Sequence, residues 1–139
     1  MLNKNNIQFM SNKEDNEIAS IVVPSGDIGD IRSVVIPSTV KSIGDYAFIN
    51  NKISSVTLSN GLETIGVEAF YINQLTAITI PKSVTSIGEY AFAYNQLTSV
   101  IIESSETQIG CMAFGSNKNL TSIKIAGEDV SLSIFNCVE

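Results

Sequence analysis

The chain has no histidine and no tryptophan, and only two cysteines and three prolines among its 139 residues. Without histidine, the commonest general base and the commonest metal ligand are both missing. Cys111 and Cys137 lack the C-x-x-C spacing of zinc and redox sites, and two thiols do not make a disulfide framework. They stand either as two half-buried thiols or as one bridge tying down the C-terminal end, a choice that depends on reach in three dimensions. No Gly-x-Ser-x-Gly elbow and no His-Glu-x-x-His occurs, so the common hydrolase signatures are absent. Cations are also scarce. Eight Lys and Arg face fourteen Asp and Glu, a formal net charge of −6. That balance argues against nucleic acid as a partner and against an anionic membrane surface. No apolar run approaches the ~18 residues of a spanning helix, which argues against membrane insertion. The opening "MLNKNNIQFM" has one lysine and no apolar stretch after it, unlike a secretory signal. Both a cytoplasmic protein and an exported mature domain fit these facts.

What the chain does have is hydrophobic residues, 44% of the total against 16% charged, arranged with a strict period. Ile31, Ile53, Leu75 and Leu97 stand 22 apart, and Leu120 follows 23 later, one residue having been inserted around Asn117-Lys118-Asn119. Val34, Val56, Ile78, Val100 and Ile123 form a second column. Ile36, Leu58, Ile80, Ile102 and Ile125 form a third. Val40, Leu62 and Val84 form a fourth, broken by Glu106. Ile43, Ile65, Ile87 and Ile109 form a fifth, each followed by glycine: Gly44, Gly66, Gly88 and Gly110. Ala47-Phe48, Ala69-Phe70, Ala91-Phe92 and Ala113-Phe114 come next, and Asn51, Asn73, Asn95 and Asn117 close the units.

A period in the twenties with a Leu-x-x-Leu-x-Leu start is the mark of a leucine-rich-repeat solenoid. Residues two apart, such as Ile78 and Ile80, share one face of a strand, while Thr79 points the other way. Each unit predicts a short parallel strand on one side, then a second extended stretch near the Ile-Gly and a short helical turn at Ala-Phe. Pro37 and Pro81 end the strands. The whole reads as one right-handed solenoid of five to six coils, with one parallel sheet along one side. Residues 1–17 form a polar or capping segment that includes the charged run 13–17; its apolar Ile7, Phe9 and Met10 are placed to cover an open end. The repeat domain occupies 18–139, with coils near 18–30, 31–52, 53–74, 75–96 and 97–119 and a degenerate cap over 120–139. In the shortened first coil, Ile21, Val23 and Pro24 align with Val34, Ile36 and Pro37.

The recurring glycines read as backbone devices, giving positive φ or close approach at one corner of every coil. The asparagines read as a ladder that satisfies backbone groups of their own and adjacent coils. Neither set matches a phosphate loop, which needs further glycines and a Lys-Ser/Thr.

With its Ile-Gly-x-x-Ala-Phe core, "LTxVxIPxSVxxIGxxAFxxN" resembles the BspA-like, or Treponema-type, leucine-rich repeat over Ile31 to Ile125. In that family the closing position is often cysteine; here it is asparagine in all four repeats. The last unit, "AGEDVSLSIFNCVE", lacks the core motif. The resemblance implies bacterial or protist surface proteins that bind other macromolecules, often as adhesins, usually with many more repeats and an anchoring region. It therefore implies a secreted or cell-surface location.

For function, a repeat scaffold without a catalytic constellation points to a non-enzymatic binding module for a protein or a glycan, with no cofactor or metal. The alternative is a structural spacer or self-assembling unit that stacks through its ends; a carboxylate hydrolase comes third. The expected binding strip is the outward face of the first strands: Ser33, Val35, Ser55, Thr57, Ala77, Thr79, Ser99, Ile101, Ser122 and Lys124. It carries no aromatic or arginine anchor of the kind that dominates binding, and a solvated β face, with threonines suited to strands, is the preferred explanation of these residues taken alone. A second surface bears Tyr46, Tyr71, Tyr90 and Tyr94, which suit recognition but would also cover coil corners. Glu103 and Glu106 are the nearest carboxylate pair and read as a charged loop edge. The sequon Asn119-Leu120-Thr121 reads as chance.

Overall fold

A computed structural model describes residues 8–12, 17–22, 31–135 and 137, the first two segments as backbone. Ile7, residues 13–16, the side chains of Phe9 and Met10, and Val23 and Pro24 lie outside that description. The repeat wraps into four full windings. Each contributes a front strand and a two-residue back strand. The front strands are β3 (Ser33–Val35), β5 (Ser55–Thr57), β7 (Ala77–Ile80), β9 (Ser99–Ile102) and β11 (Ser122–Ile125). The back strands are β4 (Ser42–Ile43), β6 (Thr64–Ile65), β8 (Ser86–Ile87) and β10 (Gln108–Ile109).

Column residues meet in register. Ile78 lies opposite Val100 and Ile80 opposite Ile102, while Ile43, Ile65, Ile87 and Ile109 form the back ladder. The column side chains point into one interior, where Ile31, Ile36, Ile53, Leu75, Leu97 and Ile102 are all buried. No single winding could enclose them; stacked windings do, each such side chain contributing about 1.5–3 kcal/mol. The phenylalanines stack face to face: Phe48 on Phe70 at 5.1 Å, Phe70 on Phe92 at 5.2 Å and Phe92 on Phe114 at 5.5 Å, with rings within 7° of parallel.

The Ala-Phe segments are turns, not helical as the sequence predicts. Ala47 N–H donates to Gly44 O and Ile49 N–H to Tyr46 O, but Tyr46, Phe48 and Asn50 donate along the axis to Val67, Ala69 and Tyr71. A helix bonds successive interior N–H groups to its own carbonyls four residues back. Here alternate N–H groups are turned toward the next winding, and left-handed residues do the turning. Tyr46, Glu68, Tyr90 and Met112 have φ of 53–63°, as do Asn50, Ile72, Tyr94 and Ser116 at 54–58°. Together with the front and back strands, the turns make a third hydrogen-bonded side.

The front is not one sheet. β3 pairs with β5, β7 with β9 and β9 with β11, but no ladder joins β5 to β7. Val56 and Leu58 are half-buried there, while their equivalents Val34, Ile36, Ile78 and Ile80 are buried. Gly61 stands where the neighbouring coils have Thr39 and Ser83. A Cβ on it would lie 2.5 Å from the Ser38 carbonyl oxygen, so coil two closes tightly on coil one. Ile36 N–H bonds to Thr57 O at 2.9 Å, continuing the β3–β5 pairing past the strand ends.

Both ends carry antiparallel hairpins. β1 (Gln8–Asn12) pairs with β2 (Glu17–Val22), and β2 runs parallel to β4 with Ile18 opposite Ile43. This corrects the expected alignment of Ile21 with Val34: β2 belongs to the back sheet, where Glu17-Ile18 repeats the polar-Ile pair of Ser42-Ile43. At the other end β12 (Glu128–Ser131) folds onto β11 through Ala126 and Gly127, at φ 50° and 87°, the two left-handed positions of a tight hairpin. A 3₁₀ turn (Leu132–Phe135) then crosses the end of the coil, and Phe135 O accepts from Met112 N–H at 3.0 Å. That is the bond a following winding would supply. Cys111 and Cys137 are joined by a disulfide, with Cα atoms 5.3 Å apart.

Candidate functional site

The recurring polar residues resolve into scaffold geometry. Asn73, Asn95 and Asn117 are buried, Asn51 half-buried. Asn95 shows the pattern: its Oδ1 accepts from Leu75 N–H at 2.9 Å, and its Nδ2 donates to Phe70 O and Phe92 O, each at 3.0 Å. Asn73 makes the same bonds to Ile53, Phe48 and Phe70, and Asn117 to Leu97, Phe92 and Phe114. Asn51 makes the weakest version, accepting from Ile31 N–H at 3.5 Å. One side chain thus ties its own turn to the preceding turn and to the entry of a strand. None is left over for a ligand.

Gly44, Gly66, Gly88 and Gly110 do not have positive φ. Close approach is what fixes three of them. A Cβ at Gly66 would lie 2.6 Å from Asp45 N, at Gly88 2.5 Å from Val67 N, and at Gly110 2.6 Å from Glu89 N. The left-handed conformation falls two residues later, on Tyr46, Glu68, Tyr90 and Met112. Nothing in the residue types betrays this, because glycine and asparagine are the usual signs of it and only Asn50 among the eight turn positions is either.

The strip Ser33, Val35, Ser55, Thr57, Thr79, Ser99, Ile101, Ser122 and Lys124 is exposed throughout, alternating with buried or half-buried neighbours. Ser33 lies opposite Ser55, Val35 opposite Thr57, Thr79 opposite Ile101, and Ile101 opposite Lys124. Val35 is 64% exposed and Ile101 39%. The Lys124 ammonium meets Asp129 on β12 at 3.2 Å, an exposed pair of the kind worth under about 1 kcal/mol.

Two open depressions border this strip. One, of about 440 Å³, lies at the break between β5 and β7 and is walled by Thr57, Leu58, Ala77, Thr79 and Glu103. The second, of about 960 Å³, runs past Lys82, Ile101, Glu103, Lys124 and Gly127. They share Asn60 and Glu103. Thr57, Thr79, Ile101 and Lys124 of the strip therefore edge depressions, while Ser33, Val35, Ser55, Ser99 and Ser122 line neither. Asn60, Lys82 and Gly127 are wall residues the periodic reading missed, because they sit in corners between columns.

Glu106, which breaks the fourth column, is exposed, and its N–H bonds to Ser104 Oγ at 3.0 Å. Among the described residues no three His, Cys, Asp or Glu side chains gather to hold a metal, and no helix is long and apolar enough to cross a membrane.

Comparison with known proteins agrees with this architecture. The model of the BspA type leucine rich repeat region matches residues 27–137 in six copies. The fold is similar to the crystal structure of a leucine-rich repeat protein from Eubacterium ventriosum, with a TM-score of 0.64 and 27% identity. The similarity covers 76% of this chain and 29% of that one, so the chain spans under a third of the bacterial protein's length. No curated protein matches. With four stacked windings and six matched repeats, the chain belongs to the BspA-type leucine-rich repeat family.

Proposed function

We propose that the protein is a non-catalytic, adhesin-like module that binds a protein or glycan outside the cell through the front strip and its two depressions. The carrying observation is the placement of Thr79, Ile101 and Lys124 side by side on successive strands, with Thr57 across the β5–β7 break, all four bordering open concavities. Backbone and core fix these positions, so a ligand meets a preorganised surface and little ordering cost opposes binding. The Cys111–Cys137 disulfide supports an oxidising compartment, where such bonds persist. The spacer reading has less support. β1 and β12 already cover the outer edges of β2 and β11 with antiparallel hairpins, so a second copy could not extend those two strands with a parallel winding.

A glycan array and a surface pull-down, run with the parent and with Thr79→Asp/Ile101→Asp, test the proposal. The expected result is a ligand captured by the parent and lost with the double variant. Equal capture by both would remove the front strip from the mechanism. Concentration-dependent association in sedimentation, with no ligand found, would favour the spacer.

A further inference from the structure

We propose that the turn side carries a second binding site, on Tyr71, Tyr90, Tyr94 and Glu68, for a peptide segment bearing arginine. All four tyrosines of the chain fall in the Ile-Gly-to-Asn segments, at positions 46, 71, 90 and 94. The front strip holds none. Tyr71 meets Tyr94 at 5.3 Å and Tyr90 at 6.2 Å, with rings at 66° and 81°. Ala93, which follows Tyr71 in its column, is fully buried. Tyr90 and Tyr94 are 37% and 51% exposed, and Ile72 beside them 42%. Tyr90, Tyr94 and Ile72 are also left-handed, with φ of 57–58°. Bulky residues are costly there, where asparagine or glycine is favoured. The turn itself does not call for large side chains, since Ser116 fills the same position in the last winding.

Charge selects the occupant. The segments 42–51, 64–73, 86–95 and 108–117 hold Asp45, Glu68 and Glu89 and not one lysine or arginine. Glu68 belongs to the same turn, its carbonyl accepting from Tyr71 N–H at 3.2 Å; after burial and Tyr94, its carboxylate helps push the Tyr71 phenol up. Aromatic faces beside a carboxylate attract a cation. A guanidinium suits them better than an ammonium, being planar, weakly hydrated and able to stack. Its aliphatic stem would lie along Ile72. This site is independent of the front strip.

The test uses the chain's own fluorescence. Without tryptophan, all intrinsic emission comes from the four turn-side tyrosines. A short oligo-arginine peptide is titrated at low salt, with oligo-lysine of equal length as the control. The expected result is a saturable change for oligo-arginine and weaker binding of oligo-lysine. Tyr90→Asn/Tyr94→Asn should weaken arginine binding roughly tenfold. Because asparagine accepts left-handed φ, that variant should fold with an unchanged or higher melting temperature. Glu68→Gln should lower affinity and flatten its salt dependence, while Thr79→Asp/Ile101→Asp should not weaken it. Arginine binding that survives the tyrosine double variant would overturn the proposal. So would oligo-lysine binding as tightly while Glu103→Gln weakens both as much as Glu68→Gln, the mark of diffuse attraction to an acidic chain. A tyrosine-dependent dimer in sedimentation, with no peptide binding, would overturn it in favour of a second copy.

Discussion

Asn95→Ala tests the asparagine ladder at its best-formed rung. The change removes the only described acceptor of the Leu75 N–H, which pairs with Asn95 Oδ1 at 2.9 Å in a buried site. An orphaned buried donor costs about 1–3 kcal/mol. Of the three donated contacts, the longest, to Ala93 O at 3.3 Å, leaves that carbonyl bonded to Ile72 N–H. The two shorter donated bonds matter less than the accepted one, because Phe70 O keeps Asn73 and Phe92 O keeps Asn117 as partners. Their loss adds roughly 0.5–1 kcal/mol each. The total is about 2–5 kcal/mol, a large part of a small domain's stability. Asn51→Ala is the internal comparison. Asn51 is half-buried and its strand bond is 3.5 Å, so that bond contributes little; the two it donates, to Phe48 O and Ile49 O at 3.2 Å each, set an expected cost of about 1–2 kcal/mol. Urea unfolding gives both numbers, with an unchanged slope expected if only stability moves. Asn95→Asp sharpens the test. It keeps an acceptor for Leu75 but turns a second oxygen toward two carbonyls, so burial and those carbonyls disfavour the charged form. The folded carboxyl is raised above its unfolded value of about 3.9. Stability is therefore retained below that value and lost as pH rises through the folded one. A cost under about 1 kcal/mol for Asn95→Ala, or an equal cost for Asn51→Ala, would refute the account of the ladder.

Three further outcomes follow from the geometry. Gly88→Ala places a Cβ 2.5 Å from the Val67 backbone nitrogen; about 1–3 kcal/mol should be lost, read from the thermal midpoint. Cys137→Ser opens a link with a sequence separation of 26; about 3–4 kcal/mol should go on a chain-entropy estimate, with faster hydrogen exchange at the Met112 amide. Burial, then Tyr94, Glu68 and Tyr90, push the Tyr71 phenol up from its ordinary value. Alkaline titration of tyrosinate absorbance should therefore show a late component that Tyr71→Phe removes.

The periodic columns made the core legible. A spacing of 22 residues and the Ile-x-Ile alternation place Ile78 opposite Val100 without any further information, because only stacked windings bury both. The asparagines were legible too, since a buried amide at a fixed turn must find backbone partners. What the sequence hid lies between the columns. The β5–β7 break leaves no mark in the columns, since Val56 and Leu58 occupy the same positions as Ile78 and Ile80. The turns read as helical because the Ala-Phe pair is compatible with a helix, while the left-handed φ of Tyr46 and Tyr90 falls on residue types that do not announce it. The depressions beside Thr79 and Ile101 arise from corner residues such as Asn60 and Lys82, whose position depends on how neighbouring corners are offset.

The Cys111–Cys137 link changes how the molecule would carry load. A pull applied at Cys137 passes straight through sulfur to the last winding. The β11–β12 hairpin and the 3₁₀ turn sit inside that covalent loop and cannot be drawn out. Tension instead reaches the turn of the fourth winding, whose Cys111, Ala113 and Gly115 carbonyls accept from the Tyr90, Phe92 and Tyr94 N–H groups of the third. A tethered molecule with the bridge intact would give way at that seam; once reduced, it would first pay out the slack of its own tail.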